Sequence, residues 1–232
     1  MPFLYLDSTI LLLVPALILA LWANHQVKSQ FERYSRIPSG SGMTGAELAG
    51  RLLAESNLSS VRIEETGGKL SDHYDPRSRT LRLSSAIGRS RSVAALGVAA
   101  HEVGHAIQHQ AGYSPFRVRQ SIVPVAQFGS SLAFPLFFIG FLFSGSTHST
   151  LLMDIGIYLF MGVLAFQLVT LPVEFNASAR AMALLSERGY LAGEEVIQAR
   201  KVLNAAAWTY VAATAMAAVQ LVRMFVLRGS RD

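Results

Sequence analysis

The run His101-Glu102-Val103-Gly104-His105 has the spacing H-E-x-x-H. On a helix this sets two imidazoles one turn apart on one face, so both can reach a single metal ion. Glu102 stands beside them, where a carboxylate can take a proton from a metal-bound water. In a chain of 232 residues with 6 histidines, a chance match to this pattern is expected about 0.007 times. Two unrelated helix histidines beside a surface glutamate would leave that spacing unexplained. His109 extends the same stripe, but it lies about 12 Å along the axis from His101. Ligands of one zinc each lie about 2 Å from the metal, so His109 cannot join that site. It reads instead as a surface residue or a neighbour of the ligands. Position 111 is alanine, so the longer H-E-x-x-H-x-x-G-x-x-H pattern is absent.

A catalytic zinc needs a third protein ligand and one open position. The chain has no cysteine, which excludes thiolate ligands and a thiol nucleophile. The best candidate is Glu174, in Pro172-Val173-Glu174-Phe175-Asn176-Ala177-Ser178-Ala179-Arg180. An ordinary carboxylate at a helix start is its alternative. Glu187, Glu194 and Glu195 are further acids, without a matching context.

The elements that must position these residues are set in an apolar chain. Hydrophobic residues make up 51% and charged residues 15%, well below the roughly 25% charged of soluble domains. Disorder, a coiled coil and a disulfide-stapled fold are excluded. Four stretches, 4–23, 122–143, 151–173 and 205–227, are long and apolar enough to cross a bilayer as helices. They hold few charges: Asp7 in the first, none in the second, Asp154 in the third and Arg223 in the fourth. The first lacks a basic leader and an A-x-A site, so it is expected to be a retained anchor.

The net charge of +5 is topological in this reading. Lys28, Arg33 and Arg36 follow the first stretch and Arg117 and Arg119 precede the second, all within 24–121, and Arg180, Arg188, Arg200 and Lys201 fall in 174–204, while the loop 144–150 has no Lys or Arg. By the positive-inside rule, 24–121 and 174–204 face the cytoplasm and the N-terminus lies outside. Only Arg228 and Arg231 argue against this. Nucleic acid is not an expected partner. Two crossings after the H-E-x-x-H helix, Glu174 returns to the same side of the membrane.

Within 24–121, a Ser/Gly-rich linker precedes a helix at 45–56, which Thr44 and Glu47 can start as a capping box. Residues 61–65 and 79–84 alternate like strands of a small sheet, and Ser71-Asp72-His73-Tyr74-Asp75-Pro76 between them has turn character. Residues 92–110 read as the helix carrying the motif, with Ser92 as its cap and Gly112 just past its end. Residues 174–204 read as two short helical stretches separated by Arg188-Gly189-Tyr190.

The combination of His73-Tyr74-Asp75-Pro76, Leu81-Arg82-Leu83-Ser84, Ala99 through Gln108 and Pro172 through Ser178 resembles the YugP-type neutral zinc metallopeptidases of bacterial membranes. The likeness covers most of the chain. More distantly the sequence is similar to HtpX-type and CAAX-prenyl-type membrane peptidases, whose second motif is E-x-x-x-D. The resemblance implies a gluzincin-like helical core and supports Glu174 as the third zinc ligand. This chain departs at Ser178, where those relatives carry Asp.

The expected fold is mainly α: a multi-pass membrane helical bundle with an HExxH core and a small β-sheet in 24–121, forming one membrane-embedded domain over 1–232. The expected function is a zinc endopeptidase of the bacterial inner membrane with a cytoplasmic active site. One Zn2+ per chain is held by His101, His105 and Glu174, and Glu102 activates the water. His73, Tyr74, Asp75 and Arg180 are candidates for stabilising an oxyanion or orienting a ligand histidine, against plain turn and helix-surface roles. The strand 79–84 could take an extended peptide at its edge, or be an ordinary paired strand. The substrate is expected to be an unfolded or membrane-emerging polypeptide. A site-2-type intramembrane protease is a rival, opposed by the short apolar run 93–107, by Arg89 and Arg91 before it, and by the lack of a Leu-Asp-Gly-type ligand motif. The other rival is a membrane scaffold that keeps a metal site for stability, against which the intact Glu102 argues.

Overall fold

The computed structural model describes residues 8–68, 71–147 and 150–230. Asp7, the start of the first apolar stretch, part of the 144–150 loop and Arg231 lie outside them. The described chain is mainly helical. A 3-10 segment, Ser8–Leu13, leads into α1 (Val14–Tyr34), followed by α2 (Gly45–Glu55), β1 (Arg62–Thr66), β2 (His73–Asp75) and β3 (Thr80–Ser84). Then come α3 (Ser85–Gly88), α4 (Val93–Gln110), α5 (Ser114–Thr147), α6 (Leu151–Glu187) and α7 (Glu194–Gly229). Among the described residues, four helices are long and apolar enough to cross a membrane.

The chain divides into two compact units. One comprises Met1–Trp22, Val118–Leu171 and Thr209–Asp232, and the other Ala23–Arg117 and Pro172–Trp208. In the first unit, α5 and α6 approach closely through glycines. A Cβ on Gly129, Gly140 or Gly156 would lie 2.7, 2.6 or 2.7 Å from backbone of the facing helix, the small-residue contact that brings apolar helices together without a hydrophobic drive. Phe137, Met153, Ile157, Phe160 and Met224 fill the space between helices. Arg228 pairs with Asp154 at 2.9 Å and donates to Thr150 at 3.1 Å. Outward, Leu142, Phe143 and Tyr158 are exposed, an apolar surface suited to lipid.

The second unit is built around α4. Its core joins Leu48, Leu52 and Leu53 of α2, Leu81 and Leu83 of β3, Leu96 and Val103 of α4, and Val173, Leu185 and Leu203. Thr44 and Glu47 form the expected capping box, with Glu47 N–H donating to the Thr44 hydroxyl at 3.2 Å and Thr44 N–H to the Glu47 carboxylate at 2.8 Å. Ser92 accepts from Ala95 N–H at 3.2 Å and starts α4. Gly112, with φ of +61°, ends it in the left-handed conformation that glycine takes without a Cβ clash.

The structure corrects three sequence expectations, two of them in the sheet. Its order is β1-β3-β2, with β1 parallel and β2 antiparallel to β3. The strand at 80–84 is therefore central, paired on both sides, and has no edge to offer a peptide. The turn read across 71–76 contains instead a strand, β2. Asp72 fixes its entry by accepting from Ser84 N–H at 2.7 Å, a tertiary tie that local composition does not reveal. The stretches 174–187 and 194–204 are not separate short helices but the ends of α6 and α7.

On α4, a Cβ at Gly104 would lie 2.6 Å from the Ala177 carbonyl oxygen of α6. Gly104→Ala is therefore expected to destabilise the protein by about 2 kcal/mol through forced separation of the helices. Gly50→Ala, where the nearest atom is 3.7 Å away, should be neutral or stabilising by up to about 1 kcal/mol from helix propensity. Thermal unfolding of both variants in detergent micelles checks the contrast; equal behaviour would remove the close contact from the account.

Candidate metal centre

α4 buries Glu102 and His105 and leaves His101 partly accessible. One turn apart, the two rings meet edge to face with centroids 4.7 Å apart. α6 brings Glu174, itself buried, against both. Its Oε2 lies 3.2 Å from His101 Nε2 and 3.6 Å from His105 Nε2. The ligand atoms of His101, His105 and Glu174 all lie within 4.8 Å of one another, a group that could hold a metal ion.

The hydrogen bonds on the far side of each ring decide what faces inward. Gln108 Nε2 donates to the Val173 carbonyl at 2.8 Å and to Asn176 Oδ1 at 3.0 Å. A backbone carbonyl can only accept, so the Gln108 oxygen is the atom turned to His105 Nδ1, 3.0 Å away. Nδ1 must then carry a proton, and in the neutral ring Nε2 points a lone pair at the Glu174 carboxylate. Two acceptors facing each other at this distance repel unless a cation stands between them or the ring is protonated. Ligands about 2.0 Å from a tetrahedral zinc stand about 3.3 Å apart, close to the observed separations. Two histidines and a carboxylate also leave the fourth position open, as in catalytic zinc sites. The residues fit the ion.

His101 Nδ1 is partnered by the Ser178 hydroxyl at 3.1 Å. Ser178, where the E-x-x-x-D pattern has Asp, thus meets this ring with a neutral hydroxyl. Ser178, Gln108 and Asn176 are the site residues that sequence reasoning missed as partners. The i, i+4 offset of Ser178 from Glu174 on a helix was the available signal for the first; Gln108 and Asn176 had none beyond polarity in an apolar context.

Glu102 is not among the inward-facing ligand atoms. Its Oε2 accepts from Tyr74 N–H of β2 at 3.0 Å. Burial pushes its carboxyl up to about 7, with the Glu174 and Asp72 carboxylates adding to the rise and His101 and the Tyr74 N–H opposing it.

The remaining candidates divide. Tyr74 reaches the site through its backbone, while its hydroxyl bonds His109 Nδ1 at 2.9 Å. Arg180 Nε donates to Asn176 Oδ1 at 2.8 Å, which links it to His105 through Asn176 and Gln108. His73 is exposed and bonds the Ser71 carbonyl at 2.8 Å. Asp75 pins the following turn, accepting from Arg77 N–H at 2.9 Å and the Ser78 hydroxyl at 2.7 Å, and it pairs with Arg82 at 3.2 Å. The Ser78 bond foremost, with the Arg77 and Arg82 bonds, lowers its carboxyl to about 2 against the opposing effect of burial. The structure brings neither His73 nor Asp75 to the three ligands.

The chain matches the family model described as "Putative neutral zinc metallopeptidase" over residues 9–229. It is 45% identical over 218 residues to "Putative membrane protease YugP" of Bacillus subtilis (strain 168), covering 94% of this chain and 95% of the relative. No solved structure matches. With nearly its whole length inside that family model and the H-E-x-x-H histidines beside Glu174 in space, the chain belongs to the neutral zinc metallopeptidase family that includes YugP.

Proposed function

We propose that the protein is a zinc-dependent membrane endopeptidase that hydrolyses polypeptides at the cytoplasmic surface of the bacterial inner membrane. In this reading residues 1–232 work as one membrane-embedded domain. The observation that carries it is the buried carboxylate of Glu102 beside the cluster of His101, His105 and Glu174, in which His105 turns a lone pair to the Glu174 carboxylate.

One zinc, held by His101, His105 and Glu174, would polarise the scissile carbonyl and acidify a water. Glu102 takes the proton of the attacking water on a carboxylate oxygen and passes it to the leaving amine nitrogen. Its raised pKa, about 7, suits a group that must both accept and return a proton near neutral pH. Gln108 and Ser178 hold the two imidazoles in orientation through Nδ1. The strand that can meet an extended substrate is an edge strand, β2, which already touches Glu102 through Tyr74 N–H. Two apolar helices separate the H-E-x-x-H segment from Glu174 in sequence, which favours substrates near the bilayer, unfolded or emerging from it.

Three outcomes are expected. Purified protein should hold about one zinc per chain, and His101→Ala, His105→Ala or Glu174→Ala should each release it, since each removes one of three protein ligands; metal analysis after dialysis measures this. His109→Ala should retain it. Full occupancy in the Glu174 variant would move the third ligand to the acids of 187–195.

Glu102→Gln should keep its zinc while cleavage of an unstructured test protein falls by at least about a hundredfold. Chelation should abolish the wild-type activity. A scaffold would show no such split between metal binding and turnover, and near wild-type cleavage by the Gln variant would assign the base elsewhere.

Single cysteines introduced at Ser146 and Ser59 of this cysteine-free chain test the topology. A membrane-impermeant thiol reagent applied to intact cells should label position 146 and spare 59. The reverse pattern would place the centre outside the cytoplasm.

A further inference from the structure

Beside the metal centre, the second unit contains a cavity of 290 Å3 that the proposed chemistry leaves unused. Its apolar floor includes Leu58 and Val61, and Asn57, Ser60, Tyr74, Arg79, His109 and Gln110 supply polar groups around it. No carboxylate is among its lining residues, and Arg79 is its only fixed charge. Tyr74 ties the cavity to the catalytic residues: its N–H donates to Glu102 and its hydroxyl bonds His109. Gln110 closes one wall by donating to the Asn57 carbonyl at 3.2 Å.

The backbone marks the same place. Among the described residues, Asn57 (φ +57°) and Arg79 (φ +49°) are the non-glycine residues in the left-handed region, and both line this cavity. Asparagine adopts that conformation readily, but for arginine it costs about 1 kcal/mol. Such strain concentrates at binding sites. Turn formation alone would favour Gly or Asn at position 79, so the backbone does not account for an arginine there.

Resting on the metallopeptidase reading, we propose that this cavity is a substrate subsite that takes a carboxylate of the polypeptide, with Arg79 as its specificity-determining residue. Burial, aided by the Arg79 charge, lowers the pKa of His109. That ring therefore stays neutral near pH 7, leaving a single positive charge that matches a monoanion better than a phosphate dianion. His109 lies about 6 Å beyond His105 along α4, and an extended chain advances about 3.3 Å per residue. The carboxylate thus belongs to a residue two or three positions from the scissile bond, as a Glu or Asp side chain or as the chain terminus.

Quenched fluorescent peptides of neutral residues test this, with one glutamate moved along the sequence, its glutamine counterparts, and free-acid or amidated C-termini. At one position kcat/KM should be about tenfold higher for glutamate than for glutamine, the scale of one charge-assisted hydrogen bond. A preference that follows the free terminus instead identifies the α-carboxylate as the source. Arg79→Gly, which suits the left-handed backbone, should fold normally and bring the ratio to about one, while Arg79→Lys should retain most of it. An unchanged ratio in Arg79→Gly, or no acid preference in the wild type, overturns the proposal. If the wild type cleaves none of the peptides, their affinities for zinc-loaded Glu102→Gln protein, by fluorescence anisotropy, decide. An acid preference lost with Arg79→Gly upholds the subsite while the peptidase reading falls, and equal affinities overturn the subsite.

Discussion

At Gly104 two helix backbones approach too closely for a β-carbon, and the metal centre depends on that approach. The contact is with Ala177 of α6, and the functional residues flank it at matching offsets. On α4, His101 lies three residues before Gly104 and His105 one after. On α6, Glu174 lies three before Ala177 and Ser178 one after. Any side chain at position 104 would separate the helices by a fraction of an ångström or more. Glu174 would then lose its reach to both imidazoles, and Ser178 its bond to His101. The glycine inside the H-E-x-x-H run is thus a packing requirement of the second helix and has no chemistry of its own.

Around that contact the orienting groups are neutral. Ser178 and Gln108 fix the outer nitrogens of the two rings without adding charge, and Gln108 also holds the Val173 carbonyl and Asn176. A single amide therefore orients a histidine and fastens α4 to α6. In a buried site already holding the Glu102 and Glu174 carboxylates, another charge would carry a large desolvation cost.

The sequence made legible whatever rests on local geometry. H-E-x-x-H needs only helical periodicity. Thr44 with Glu47, and Ser92, act within one turn, and the long apolar runs need no partner to be recognised. What escaped depends on contacts far apart in the chain. β2 is three residues long in a segment of turn composition, held by pairing to β3 and by Asp72 reaching Ser84. The central position of β3 follows from β2 and was hidden with it. Gln108 and Asn176 are polar helix residues whose roles exist only once α4 and α6 meet. α6 continues past Pro172 because a proline removes one amide from the ladder without ending a helix that is packed on both sides of it.

The split of the site between α4 and α6 also sets an order of events during synthesis. His101, Glu102 and His105 leave the ribosome well before Glu174, with the whole of α5 and the apolar part of α6 still to be made. Until α6 arrives, His101 and His105 have neither Glu174 nor Ser178 beside them. A nascent chain therefore cannot assemble the cluster of His101, His105 and Glu174 before α6 has been made. A cluster divided in this way cannot form until its last member has been synthesised, so the proposed activity would arrive with α6 and not before.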